Sequence, residues 1–151
     1  IEQVLRKIEN ALGLTDTQKF AARENGMVLS VDNGHALHPA HPELADPEYR
    51  AIMNGGIAIK HHVNYSTDGL SSATLKNILN AANVPYQDLY NKSDVRCGST
   101  LGLVTARTLG IKACDIGIAQ LAMHSACETC GSADVATMQK CISAFLTELG
   151  K

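Results

Sequence analysis

Stretches of helical period and short apolar runs alternate along the whole chain, and that alternation restricts the available folds more than any other feature. Residues 2–12 set Val4, Leu5, Ile8, Ala11 and Leu12 at helical spacing, with Gly13 where helices often stop. Thr15 or Asp16 is placed to cap a second short helix running to Ala22, and residues 27–31 then read as a strand that ends at Asp32. After polar, proline-bearing material from 33 to 55, residues 57–60 read as a buried strand. Residues 70–82 follow as a helix with Leu75, Ile78, Leu79 and Ala82 inward, and Pro85 closes that region. The pattern continues with a strand at 89–92, a helix to Leu109 closed by Gly110, and a strand at 111–118. A last helix, capped by Asp134, carries Val135, Met138, Ile142, Phe145 and Leu149 at near-helical spacing. Such alternation predicts an α/β fold of three layers around a largely parallel sheet, with functional residues in loops at strand ends.

Composition narrows the partners. With 45% hydrophobic and 19% charged residues among 151 and a net charge of −2, the chain reads as one soluble globular unit with no basic surplus for nucleic acid. Tryptophan is absent and aromatics make up 4%, which leaves neither stacking platforms for single strands nor interfacial anchors for a membrane. No apolar run approaches the roughly 20 residues a bilayer span needs, and the N-terminal stretch lacks the order of a secretory signal. Five irregularly spaced cysteines (Cys97, Cys114, Cys127, Cys130, Cys141) suit reduced thiols and a cytoplasmic setting better than a disulfide framework. The sequence opens at Ile1 inside a helical pattern without an initiator methionine, so a piece of a longer protein is expected.

The segment from Ser30 to Pro39 delivers Asp32, His35 and His38 into a loop at the end of a strand. Carboxylate oxygen and imidazole nitrogen are both zinc donors, and this spacing lets Asp32 and His35 face one cleft. Spacing alone equally admits an aspartate that caps a turn beside solvated histidines. His124, after the apolar segment 116–122, is either a second donor brought close by the fold or a hydrogen-bonded core histidine. Lys60 ends an apolar strand beside His61 and His62, where its ammonium either receives an acidic group or simply sits in water. Cys127 and Cys130 form a CxxC without the second ligand pair of a zinc knuckle or the early strand-to-helix setting of a thioredoxin-like redox pair, and Gly98 to Gly102 lacks the lysine of a phosphate-binding loop.

Taken in order, residues 30–39, Asn54-Gly55-Gly56 through Lys60, Cys97-Gly98-Ser99-Thr100-Leu101-Gly102, and Gln120 to Ser125 with Glu128 to Gly131 resemble the aspartyl aminopeptidase family. The resemblance covers nearly the whole chain and corresponds to the C-terminal part of that family's catalytic domain. It implies a three-layer α-β-α sandwich of the zinc-exopeptidase type, incomplete in this chain. The implied activity is metal-dependent removal of N-terminal aspartate or glutamate from peptides, by a cytoplasmic enzyme that forms a large symmetric homo-oligomer. By the same resemblance Asp32 ligates one zinc and His124 the other of a pair, for which cobalt or manganese suits the same donors. His35, Lys60 and Tyr65 hold the substrate, with Lys60 reading its acidic side chain.

Residues 61–64 are shorter than the matching segment of many members, which bears on Tyr65. The family's other histidine ligand, its bridging aspartate, its general-base glutamate and adjacent glutamate ligand, and its inserted dimerisation domain all correspond to sequence upstream of the matched part. On this reading the 151 residues carry half of a site, are inactive alone, and expose surface that invites self-association. The competing expectation is a catalytically inert α/β binding or scaffold module that kept the fold.

Overall fold

The computed structural model describes residues 1–149. Four strands form the main sheet: β1 (Met27–Val31), β3 (Ile57–His61), β4 (Tyr86–Tyr90) and β5 (Lys112–Gly117), in the order β1-β5-β3-β4. The remaining strands, β2 (Gly34–His35), β6 (Ala119–Leu121) and β7 (Thr129–Cys130), make a small second sheet in the order β2-β6-β7. The helices are α1 (Glu2–Ala11), α2 (Asp16–Asn25), α3 (Gly69–Ala81), α4 (Leu101–Leu109) and α5 (Ser132–Leu149).

Alternation along the strands sorts the two faces of the main sheet. Ile57, Ile59, Cys114 and Ile116 point to one side and pack with Leu75, Ile78 and Leu79 of α3 and Met138, Cys141 and Phe145 of α5. On the other side, α4 lies over β1 and β5, and Ala58 and Leu89 join Ala36, Ala51 and Ala119 in a smaller cluster. Helices thus cover both faces of a mixed sheet, the layered α/β arrangement that the alternation predicts. Gly110 ends α4 in the left-handed conformation at φ 64°, which glycine adopts without a Cβ penalty.

Several expectations need correction. The sheet is less parallel than expected: β1 with β5 and β3 with β4 are parallel, while β3 and β5 run antiparallel. A helix joins β3 to β4 and gives the usual parallel crossover, whereas β1 reaches β3 through β2 and loop, which imposes no common direction. The strand expected at 89–92 lies at Tyr86–Tyr90, directly after Pro85, and Ala82 is exposed as the C-cap of α3. Asp134 does not cap the last helix. It sits in the first turn, fully buried, and accepts the backbone N–H groups of Asn54 at 2.6 Å and Gly56 at 3.0 Å, so its carboxylate fastens the loop before β3. The helix expected at 2–12 is α1, on which Val4, Ile8 and Leu12 are exposed while Glu9 is buried and paired with Arg23 of α2. Phe20, Leu101, Val104 and Leu146, all on helices, add further exposed apolar surface.

Candidate functional site

The loops at the strand ends enclose a cavity of about 450 Å³, and its wall includes all five expected site residues: Asp32, His35, Lys60, Tyr65 and His124 among them. Asp32 follows β1 directly, His35 lies on β2, Lys60 on β3, Tyr65 in the β3–α3 loop, and His124 in the β6–β7 loop. Residues more than ninety positions apart therefore share one cleft, because β5 lies between β1 and β3 in the main sheet and β6, which leads to His124, pairs with β2 just after Asp32.

Lys60 is not a solvated strand-end lysine. It is 1% exposed, and its ammonium donates to the Asn33 carbonyl at 3.2 Å, stands 4.0 Å from Asp32 Oδ2, and lies 5.1 Å from the centre of the Tyr65 ring. Burial pushes its pKa down, and the nearby charges of Asp32 and Asp115 work against that shift. One backbone bond and one long ion pair leave donor capacity on an ammonium with three N–H groups. Tyr65 receives the Cys97 thiol at 3.3 Å, and burial, followed by that contact, raises its phenol well above the usual range.

Asp32, His35 and His124 are exposed to the cleft. His124 has φ 68° and Ala122 φ 56°, left-handed conformations that cost a non-glycine residue about 1–2 kcal/mol each. Local bonds hold the loop in place: the Ser125 N–H donates to the Ala122 carbonyl, and the His124 N–H to the Glu128 carboxylate. Among the described residues no group of three or more His, Cys, Asp or Glu side chains is placed to hold a metal ion. Cys127 and Cys130 are exposed free thiols and build no zinc knuckle among those residues.

Sequence reasoning missed the residue that organises this wall. Asp115 is fully buried on β5 and accepts the Ser66 N–H at 2.6 Å, the Ser66 hydroxyl at 2.5 Å, the Thr100 hydroxyl at 2.6 Å, and the Ser30 hydroxyl. Burial alone would raise its pKa, but these donors outweigh it and hold the carboxyl below its ordinary value. The anion therefore ties together the strand that presents Asp32, the loop that carries Tyr65, and the start of α4. Gly102 lets α4 approach, since a Cβ there would lie 2.5 Å from Asp115 Oδ1 and 2.7 Å from Ser30 Cβ. In the sequence Asp115 looks like one polar residue in an apolar strand, and nothing there shows which hydroxyls face it.

The chain matches a family model described as Aminopeptidase I zinc metalloprotease (M18) over residues 1–146. It is 38% identical over 149 residues to the probable M18 family aminopeptidase 2 of Mycobacterium tuberculosis, a match covering 97% of this chain and 34% of that protein. A Streptomyces coelicolor protein of the same description is 37% identical over 95% of this chain. The chain thus spans about a third of the length of the curated relatives it matches. Among solved structures, the fold superimposes on a chain of the Ape4 and Nbr1 complex with a TM-score of 0.93 and 30% identity, covering 97% of this chain and 28% of that one. It superimposes on the dodecamer of mApe1 from Saccharomyces cerevisiae with a TM-score of 0.83 and 25% identity, covering 98% and 33%.

Proposed function

The chain belongs to the aminopeptidase I zinc metalloprotease family (M18), and from that membership we propose that it forms one wall of the active site of an aminopeptidase that removes N-terminal aspartate and glutamate. The observation that carries the acidic preference is Lys60, a buried ammonium on the wall of the cleft with donors to spare. A carboxylate entering the cleft meets a positive charge in a water-poor setting, where the attraction is much stronger than in bulk solvent. Arg96 lines the same cleft, as does Lys92, which is paired with Asp94 at 3.2 Å, and Asp32 and Asp46 place carboxylates on the same wall. His35 and Tyr65, on the wall beside Lys60, complete the substrate-binding set in this reading.

Asp32 and His124 each offer one donor of the type zinc takes. Catalytic zinc is held by roughly three protein donors and an open position, so the described residues by themselves fall short of a zinc site. We assign one terminal ligand of each of two ions to Asp32 and His124. The remaining ligands and the general-base glutamate belong to another part of the protein, and this stretch alone is inactive. When bound, the metals supply a Lewis acid for the scissile carbonyl and a nucleophilic hydroxide. This chain's contribution is to bind and orient the acidic residue. The dodecameric state of the yeast relative and the exposed apolar surface here support a homo-oligomer, and five free thiols support a cytoplasmic protein.

The test is kcat/KM of the full-length enzyme on aspartyl, glutamyl and leucyl substrates, before and after Lys60→Met. We expect the variant to lose ~10- to 100-fold or more on the acidic pair and far less on the neutral one, because the partner of the side-chain carboxylate is gone. Equal loss on both classes would overturn the assignment. A full-length, metal-loaded protein with no peptidase activity would favour an inert binding module.

A further inference from the structure

We propose that Gln120 is a substrate-binding residue whose side-chain amide donates a hydrogen bond to the acidic side chain held by Lys60. The inference rests on the acidic-pocket reading above and adds a second donor to it. Gln120 lies on β6, 4% exposed, on the wall of the same cavity as Lys60. Its backbone is fixed from both sides, in register with His35 of β2 and Cys130 of β7.

A chain of hydrogen bonds decides which end of its amide faces the cavity. The backbone N–H of Ile118 can only donate, and it donates to Asn33 Oδ1 at 3.4 Å. That orients the Asn33 side chain so that its Nδ2 donates to Gln120 Oε1 at 2.6 Å. Gln120 is thereby turned with its oxygen occupied and its NH₂ group away from Asn33. No buried side-chain nitrogen or oxygen among the described residues lacks a partner, so this NH₂, for which no bond within the chain is seen, is not sealed from solvent, and Gln120 lines the cavity.

Asn33 also fixes Lys60, whose ammonium donates to the Asn33 carbonyl at 3.2 Å. One residue therefore secures both donors, the ammonium through its main chain and the amide through its side chain. The two complement each other on a carboxylate, which has two oxygens and accepts several hydrogen bonds. Lys60 supplies charge with little directional demand, and Gln120 supplies direction from a planar group on a strand.

Gln120→Glu in the full-length enzyme tests whether this position faces the acidic side chain, and Gln120→Met tests the donor itself, since a new carboxylate would repel an acidic substrate whether or not the amide bonds it. One carboxylate oxygen still accepts from Asn33, and only the cavity-facing group changes, from a donor to a negatively charged acceptor. The ratio of kcat/KM on aspartyl and glutamyl substrates to that on leucyl substrates is expected to fall ~100-fold, with KM carrying the change. Activity on the leucyl substrate reports that the variant folds. Should Gln120→Glu fail to fold, Gln120→Met removes the donor without adding charge and is expected to lower the ratio ~10-fold. A ratio equal to that of the parent, or equal loss on both substrate classes, would overturn the proposal. Lys60→Met run alongside separates the two readings. If it lowers the ratio and the Gln120 variants do not, the Gln120 assignment fails and the acidic pocket stands; if the parent enzyme shows no acidic preference, both fail.

Discussion

The two faces of the main sheet are built from the same strands and could hardly differ more. Toward α3 and α5, β3 and β5 present Ile57, Ile59, Cys114 and Ile116, all fully buried in an apolar layer. Toward α4 and the cavity, the intervening residues are Ala58, Lys60 and Asp115, also buried but small or charged. A strand turns successive side chains to opposite sides, so one stretch of five or six residues serves both purposes. The apolar face supplies the stability that lets the other keep a buried ammonium and a buried carboxylate, groups that are costly to remove from water unless well partnered.

Breaking the apolar face should have the largest effect on stability and the smallest on specificity. Leu75→Ala, at a fully buried position of α3, is expected to destabilise by about 2–5 kcal/mol in urea unfolding. The acidic-to-neutral substrate ratio of the folded enzyme should stay as in the parent, and a changed ratio would mean the faces are not independent.

Asp115→Asn tests the polar face next. An amide at this position sets N–H groups against the Ser66 donors, and about 1–3 kcal/mol should be lost through donors left without an acceptor. The substitution also carries a pH signature. The folded pKa of Asp115 lies below its unfolded value, so its contribution is fully present above the unfolded carboxylate pKa of about 3.9 and fades as pH falls through the folded value. Urea midpoints compared at neutral pH and at pH near 3 should therefore show a shallower acid loss in Asp115→Asn than in the parent. Identical slopes would mean that the carboxylate is not held as an anion by its hydroxyl partners.

The smallest effect separates the faces by reactivity alone. Burial raises the thiol of Cys114, on the apolar face, to about 12 and that of Cys141 to about 11. A thiol reagent should modify Cys127 and Cys130 at once, and reach Cys114 and Cys141 only on unfolding. Early labelling of Cys114 would show that the apolar layer opens readily.

Periodicity along the chain made most of the elements legible. The apolar spacing of α3 and α5 and the apolar runs of β1, β3 and β5 reflect local rules of side-chain direction, which need no knowledge of the partner. The same rules gave α1 its helical period, yet its stripe of Val4, Ile8 and Leu12 is exposed in the described residues. Amphipathicity reports that a face is apolar and does not report what lies against it. Asp134 failed for a related reason: it occupies a sequence position typical of a cap, yet the backbone donors it satisfies belong to Asn54 and Gly56, some eighty residues earlier.

Residue types and their order along the chain establish the kinds of groups available to the site: a carboxylate after a strand, an imidazole in a distant loop, and a lysine in an apolar run. Those are properties of residue type and of neighbours along the chain. It takes the folded chain to bring Asp32, Lys60 and His124 onto one cavity, to bury Lys60 rather than leave it solvated, and to set the Asn33 amide against Gln120 Oε1. Strand order and hydrogen-bond direction set these facts. Both depend on groups far apart in sequence, so no local pattern encodes them.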